Sequence, residues 1–365
     1  MRRMLSLLLA LLPLLAVPAR AVDVPERERE ILQVDTLRDE LPADAQQALE
    51  DYSPSAVTDP ADALFAVMKW AAQLSVSVLP DALRTAAMLL AAAILCAAAG
   101  HTGQTGSLSV LPMTGALAAA AIFTGGMRSM TSLAQTALDD LDAYAKLLLP
   151  VMCGAAAASG AVTGAGAVYM GASLFFSVLT SAVRTVLLPL VYVFIALATI
   201  ECALPDSGLG GARKLLGWCV SVFLKGIASV FTAYISLTGL LSGSSDEAAL
   251  SAAKSALSAA IPVVGSIAAD ASEAVLQSAR FLRATAGTFG ILAVCALALV
   301  PFLRITVCFL TMKLAAAVAE MAAEKAHAAL LGYFSAAMGY LLAMVGCAGL
   351  MLLLSVCCFM KVAAG

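Results

Sequence analysis

The sequence predicts an all-α protein, a polytopic membrane helix bundle of about seven to eight spans, some of them discontinuous. Its composition and its apolar runs carry this prediction. Hydrophobic residues make up 62% and charged residues 12% of the 365 residues, whereas a soluble domain carries about 25% charged residues. With a net charge of −3 and no dense basic run, the chain is not expected to bind nucleic acid.

Charge divides the chain into three zones. Residues 1–21 hold three Arg and no acid, residues 22–81 hold 13 acids against 4 bases, and residues 82–365 hold 11 acids against 14 bases. We interpret the zones as a signal peptide, a short acidic extracytoplasmic segment and a polytopic transmembrane domain.

The first zone has the order of a secretory signal. A basic start precedes an apolar run from Leu5 to Val17, and Ala19 and Ala21 fit the small-x-small cleavage rule. Cleavage after Ala21 would place the mature N-terminus outside the cytoplasm, and the alternative is an uncleaved anchor. In the acidic segment, one short helix is predicted to end at Pro42. A second is predicted to follow Pro60, with Leu64, Met68 and Leu74 near one face. So small a segment should lean on the membrane domain or on a partner.

The remaining chain contains seven apolar runs that predict spans. They are Leu83–Ala99, Leu108–Met127, Leu147–Val183, Val186–Ala203, Leu215–Leu241, Ala286–Leu303 and Leu330–Phe359. The run from Leu147 to Val183 has 37 residues without a charge, enough for two short spans or for a span and a re-entrant loop. Its small-residue stretch Gly154–Gly166 is the expected break. The side on which the C-terminus lies depends on whether there are seven or eight spans.

Between the apolar runs, polar residues recur at helical spacing on three stripes. The first stripe comprises Arg128, Ser132, Gln135, Asp139, Asp142 and Lys146; the second Asp270, Glu273, Gln277 and Arg280; the third Lys313, Glu320, Glu324 and His327. Such amphipathic helices lie at the membrane interface, or their stripes converge on a hydrated passage. The sequence favours the interfacial arrangement as the commoner one.

Two further features concern the spans themselves. Pro112, Pro150, Pro189 and Pro301 lie inside apolar runs, where proline kinks or interrupts a helix. Arg184, Lys225 and Arg304 lie at or inside such runs, with Glu201 near another end, and each long basic side chain is expected to snorkel to the interface.

The last apolar run carries a groove of small residues, the glycine groove: Gly332, Ala336, Gly339, Ala343 and Gly346. Small residues at this spacing allow close approach of two membrane helices. The groove is therefore a predicted packing face for a helix of this chain or of another.

Catalytic and metal-binding patterns are missing from the sequence. It contains no GxxxxGK[ST], GxSxG or HExxH motif. The nine Cys include no CxxC pair, and His occurs twice. We therefore expect neither an enzyme nor a bound cofactor or metal, and we expect the Cys to be buried small apolar residues.

Several stretches resemble the stage III sporulation protein AE family of endospore-forming Firmicutes. The clearest is "IPVVGSIAADASEAVLQSARFLRATAGTFG" from Ile261 to Gly290, followed by "PFLRITVCFLTMKLAAAVAE" and preceded by "LLLPVMCGAAAASGAVT". The resemblance covers roughly residues 110–330. The family has no established catalytic residues to transfer.

The resemblance implies a multi-pass protein of the mother-cell membrane around the forespore. It also implies partners: the other stage III sporulation A-series proteins, including a secretion-type ATPase and ring subunits, and stage II sporulation protein Q. Together they would form a channel or secretion-like apparatus that sustains late forespore gene expression. A stand-alone secondary transporter and a non-conducting membrane scaffold are the alternatives, and a homo-oligomer is compatible with each.

Overall fold

The computed structural model describes Gln46 and residues 60–102, 110–159, 161–204, 208–260, 265–323 and 325–362. These residues are 97% helical, and no strand occurs among them. The all-α prediction is therefore confirmed. The signal peptide with Ala19 and Ala21, and the helix predicted to end at Pro42, lie outside the described residues.

Eight α-helices follow one another in the described ranges. They are α1 (Pro60–Val76), α2 (Leu79–Thr102), α3 (Val110–Ala158), α4 (Val162–Ala182), α5 (Leu188–Ala203), α6 (Gly210–Ala260), α7 (Gly265–Ala322) and α8 (Lys325–Val362). A π-helical segment, Val183–Leu187, joins α4 to α5.

The C-terminal helix α8 forms the centre of the bundle. It packs most extensively against α7 and also against α3, α4, α5 and α6. Phe123 of α3 stacks on Phe334 of α8 with ring centroids 4.0 Å apart, and both side chains are fully buried. The apolar side chains of α8 therefore fill the interior of the protein as well as covering part of its surface.

Six helical stretches of the described chain are long and apolar enough to cross a membrane. They are Leu79–Ala98, Thr114–Ala158, Val162–Ala203, Gly210–Leu237, Ala286–Ala322 and Lys325–Lys361. The predicted count of seven to eight is not confirmed, because several apolar runs belong to one continuous helix. The run ending at Met127 and the run beginning at Leu147 share α3. The π-helical segment joins the two runs on either side of Arg184.

The expected break inside the 37-residue run lies where α3 ends at Ala158 and α4 begins at Val162. The Ser159 hydroxyl donates to the Ala156 carbonyl at 2.8 Å, and the Ala161 amide donates to the same carbonyl at 3.1 Å. These bonds satisfy one of the carbonyls that a helix end exposes. The two helices then pack against each other as a hairpin.

The four prolines inside apolar runs do not interrupt their helices, contrary to the expectation of discontinuous helices. Helix α3 continues through Pro150, and helix α7 continues through Pro301. Pro112 lies in the first turn of α3, where a missing N–H costs little. Pro189 is the second residue of α5, in a first helical turn, where proline is tolerated. The expectation of discontinuous helices is therefore limited to the boundary at residues 159–161.

Helix α1 begins at Pro60, as the sequence predicts for the second helix of the acidic segment. Its buried face comprises Val67, Ala71 and Ser75, while the predicted face residue Met68 is exposed. Helix α1 packs against α7, so the end of the acidic segment contacts the region predicted as the transmembrane domain. The buried face is built from smaller residues at four-residue spacing, which allow closer approach to α7 than a Leu and Met face would.

Candidate functional site

The first polar stripe forms an outward-facing surface on α3. Arg128, Ser132, Gln135, Asp139 and Lys146 are exposed, and Asp142 is half-buried. The opposite face, with Leu138 and Leu141, is fully buried. Since α3 runs unbroken through this region, the stripe does not form a separate interfacial helix. Nor, among the residues that the structure describes, does it turn inward to line a passage.

Two ion pairs involve residues of that stripe. Lys146 Nζ lies 2.7 Å from Asp142 Oδ2, one turn earlier on α3. Asp139 pairs with Arg184 of the π-helical segment. The π-helical segment thus presents Arg184 to α3, and the pair links the two arms of the hairpin. Arg184, which was expected to snorkel, instead has a protein partner.

The other two stripes are placed differently. Asp270, Glu273, Gln277 and Arg280 all belong to α7, and their side chains lie outside the described part. The third stripe is not one helical face, because α7 ends at Ala322 and α8 begins at Lys325. Lys313 and Glu320 are exposed on α7, His327 is buried on α8, and Glu324 lies outside the described residues. Spacing across a helix boundary does not show that residues share a face, so the four positions of this stripe are divided between two helices.

The glycine groove lies partly against α7 of the same chain. A Cβ on Gly339 would lie 3.3 Å from the Phe309 ring, and one on Gly346 would lie 3.0 Å from the Phe302 ring. The two contacts show that α7 and α8 run antiparallel with close backbones. Gly332, at the other end of the groove, would have nothing within 4 Å of an added Cβ. Ala336 and Ala343 are half-buried.

A buried charge cluster joins α5, α6 and α8, and sequence reasoning missed it. Arg213 Nε donates to Glu201 Oε2 at 2.5 Å, and Arg213 Nη2 lies 3.5 Å from Glu201 Oε1. The Arg213 guanidinium lies 3.6 Å from the Tyr333 ring centroid, and the side chain is 8% exposed. A carboxylate and a stacked aromatic ring together compensate the buried charge. The available signal was an acid and a base flanking the short connection between two apolar helices.

A second missed contact fixes α4 against α6. The Tyr234 hydroxyl donates to the Ala167 carbonyl at 2.9 Å. A Cβ on Gly171 would overlap the Tyr234 ring, so glycine is required for this approach. Phe175 and Phe231 pack edge to face beside it, with centroids 5.6 Å apart.

One cleft of about 370 Å³ opens between α3 and α5. Its lining includes Met127, Tyr192 and Ile195, with two threonines. The Thr124 and Thr199 hydroxyls donate to carbonyls of their own helices, at 2.6 and 2.9 Å. The cleft therefore offers a mainly apolar wall, which suits hydrocarbon better than a polar substrate.

The nine Cys are free thiols, half-buried or buried. Within the described ranges, no group of three His, Cys, Asp or Glu side chains has the proximity that a metal site needs. His327 and Cys96 both lie close to Gly115, at the junction of α2, α3 and α8.

These helices, with many large apolar side chains exposed along them, define the class: an all-helical membrane protein. The chain belongs to the stage III sporulation protein AE family, whose sequence profile matches residues 83–363. The resemblance seen in the sequence is thereby confirmed, and the family makes this a sporulation membrane protein. No match was found among curated proteins. No solved structure matches the chain.

Proposed function

We propose that the protein is a polytopic subunit of a sporulation-specific channel or secretion-like complex that connects mother cell and forespore. The family match over residues 83–363 carries the proposal. In this role the protein resides in the mother-cell membrane around the forespore, with its mature N-terminus outside the cytoplasm. It acts without catalysis, beside the other stage III sporulation A-series proteins and stage II sporulation protein Q.

The outward direction of the first polar stripe supports a role in an assembly. Exposed charge is costly where lipid covers a helix, so water or a protein partner has to cover Gln135 and its neighbours. A passage built from this stripe would therefore lie between this chain and a partner or second copy. The mainly apolar cleft between α3 and α5 does not favour a stand-alone transporter.

Deletion of the gene is the first test. We expect sporulation to arrest after engulfment, with loss of late forespore gene expression measured by a fluorescent reporter. The full chain supplied from another locus should restore both, and it should co-purify with the A-series ATPase and ring subunits. Normal spore yield in the deletion strain would exclude the proposed role.

A substitution on the stripe separates a conduit from a non-conducting scaffold. Gln135→Leu changes an exposed stripe residue and leaves both ion pairs in place; Thr136→Leu alters an exposed neighbour off the stripe. A conduit predicts that only Gln135→Leu lowers late gene expression while both variants accumulate normally. Equal and full complementation by the two variants favours the scaffold.

A further inference from the structure

Four charged side chains from distant parts of the sequence lie within about two helical turns of one another along the bundle, and we call them the charged belt: Asp139, Arg184, Lys225 and Arg304. Asp139 and Arg184 form an ion pair. Helices α3 and α7 meet where a Cβ on Gly290 would lie 3.0 Å from Leu148. A Cβ on Gly287 would lie 3.3 Å from Met152, so α3 and α7 run antiparallel. Counting along both helices from these contacts places Asp139 within two turns of Arg304.

Lys225 reaches the same level from α6. Helices α6 and α8 run parallel, as two contacts show: a Cβ on Gly217 would lie 2.5 Å from the Tyr340 hydroxyl, and Cys358 Sγ lies 3.9 Å from the Ile235 carbonyl. Lys225 therefore lies opposite the α8 turn that contains Gly346. That turn packs against Phe302, which precedes Arg304 by two residues on α7.

On α6 and α7, the two sides of the belt differ in their charge-free length. On one side, residues 226–245 of α6 and residues 284–303 of α7 are 20 residues each without a charge. Twenty helical residues span about 30 Å, the thickness of the hydrocarbon core. On the other side, residues 215–224 and 305–312 give only ten and eight uncharged residues before Lys214 and Lys313.

We propose that the bilayer covers one half of the bundle, the charge-free half, and that the belt lies among the lipid headgroups. The charge-free half comprises residues 147–158, 162–183, 226–245, 284–303 and 345–360. The other half, with α2, α5 and the N-terminal part of α3, stands outside the hydrocarbon. The inference rests on the membrane assignment and not on the sporulation role.

Independent observations agree with this boundary. Tyr192 and Trp218 are 38% and 61% exposed. They lie one or two residues from Phe194 and Gly217, which adjoin Tyr340 just beyond the belt, and Tyr and Trp concentrate at membrane interfaces. Lys146 lies on the lipid side of Asp139 but directs its ammonium back to Asp142, toward the belt. Residues such as Leu215 and Leu314, exposed on the other half, then become a surface for protein partners.

Two equally exposed leucines provide the test. Leu174, on α4 in the charge-free half, is 61% exposed, and Leu314, on α7 in the other half, is 63% exposed. Each is replaced by Trp in a full-length chain whose native Trp70 and Trp218 are changed to Phe. The purified variants are reconstituted in phosphatidylethanolamine and phosphatidylglycerol vesicles with brominated acyl chains.

We expect bromine to quench Leu174→Trp at least threefold more than Leu314→Trp. Native Trp218, in a Trp70→Phe chain, should be quenched best by bromine near the headgroups. Equal quenching at the two leucines, stronger quenching at Leu314→Trp, or quenching at neither position overturns the proposal. Any of these results leaves the sporulation role standing, because that role is scored separately by the deletion strain.

Discussion

Arg213 is the most deeply buried charged side chain among the described residues, and its charge is balanced within the fold. Glu201 accepts its hydrogen bonds, and Tyr333 covers its guanidinium plane. Removing one member of such a pair leaves the other charge partly buried and without compensation, which costs more than the pair itself contributes. The cluster therefore holds α5, α6 and α8 in one arrangement.

Substitution of Arg213 tests this balance. We expect Arg213→Leu to lower the free energy of unfolding by about 1–3 kcal/mol, because Glu201 loses its partner. Removing both charges, in Arg213→Leu with Glu201→Leu, should cost less than the single change. Melting temperatures of the detergent-solubilised chain measure this, with Lys214→Leu as a neighbouring exposed control. If the double variant loses as much stability as Arg213→Leu and Glu201→Leu lose separately when added together, the coupling is contradicted.

At the scale of elements, close helix approach decides which glycines matter. Gly339 and Gly346 face aromatic rings of α7, whereas Gly332 has open space beside it. The sequence alone cannot distinguish the three glycines, because their spacing shows that they share a helix face but not what covers that face. The same limit hid the Gly171–Tyr234 contact, whose partners are far apart in the chain.

The groove offers a matched pair of substitutions. Gly339→Leu should destabilise the chain by about 1–3 kcal/mol, since the added side chain overlaps Phe309 in a packed interface. Gly332→Leu should be neutral or slightly stabilising, because leucine has the higher helix propensity and its Cβ would have no described atom within 4 Å. Thermal unfolding in detergent compares them. Equal loss at both positions would show that the contact with α7 is not what constrains Gly339.

At the scale of the whole molecule, the apolar runs mark the hydrophobic mass, but the ends of the helices do not coincide with the ends of the runs. Uncharged runs marked the interior and the lipid-facing surface, and the small residues at 154–166 marked a real helix end. The polar stretch from Arg128 to Lys146 looked like a boundary between spans, yet α3 continues through it with one face buried and the other exposed. The ion pair between Asp139 and Arg184 depends on the folded hairpin, so no local pattern could reveal it.

The placement of the N-terminus is the remaining large-scale prediction. A basic, then apolar, then small-x-small start followed by a segment with 13 acids and 4 bases predicts that residues 22–81 are exported. Helix α1 then packs against α7 from the extracytoplasmic side of the membrane. Alkaline phosphatase fused after Asp81 should be active, because it folds only outside the cytoplasm, and a green fluorescent protein at the same site should be dark. Deleting residues 2–21 serves as the control and should reverse both signals. If the intact fusion is fluorescent and lacks phosphatase activity, the acidic segment is cytoplasmic and the proposed placement of the mature N-terminus is wrong.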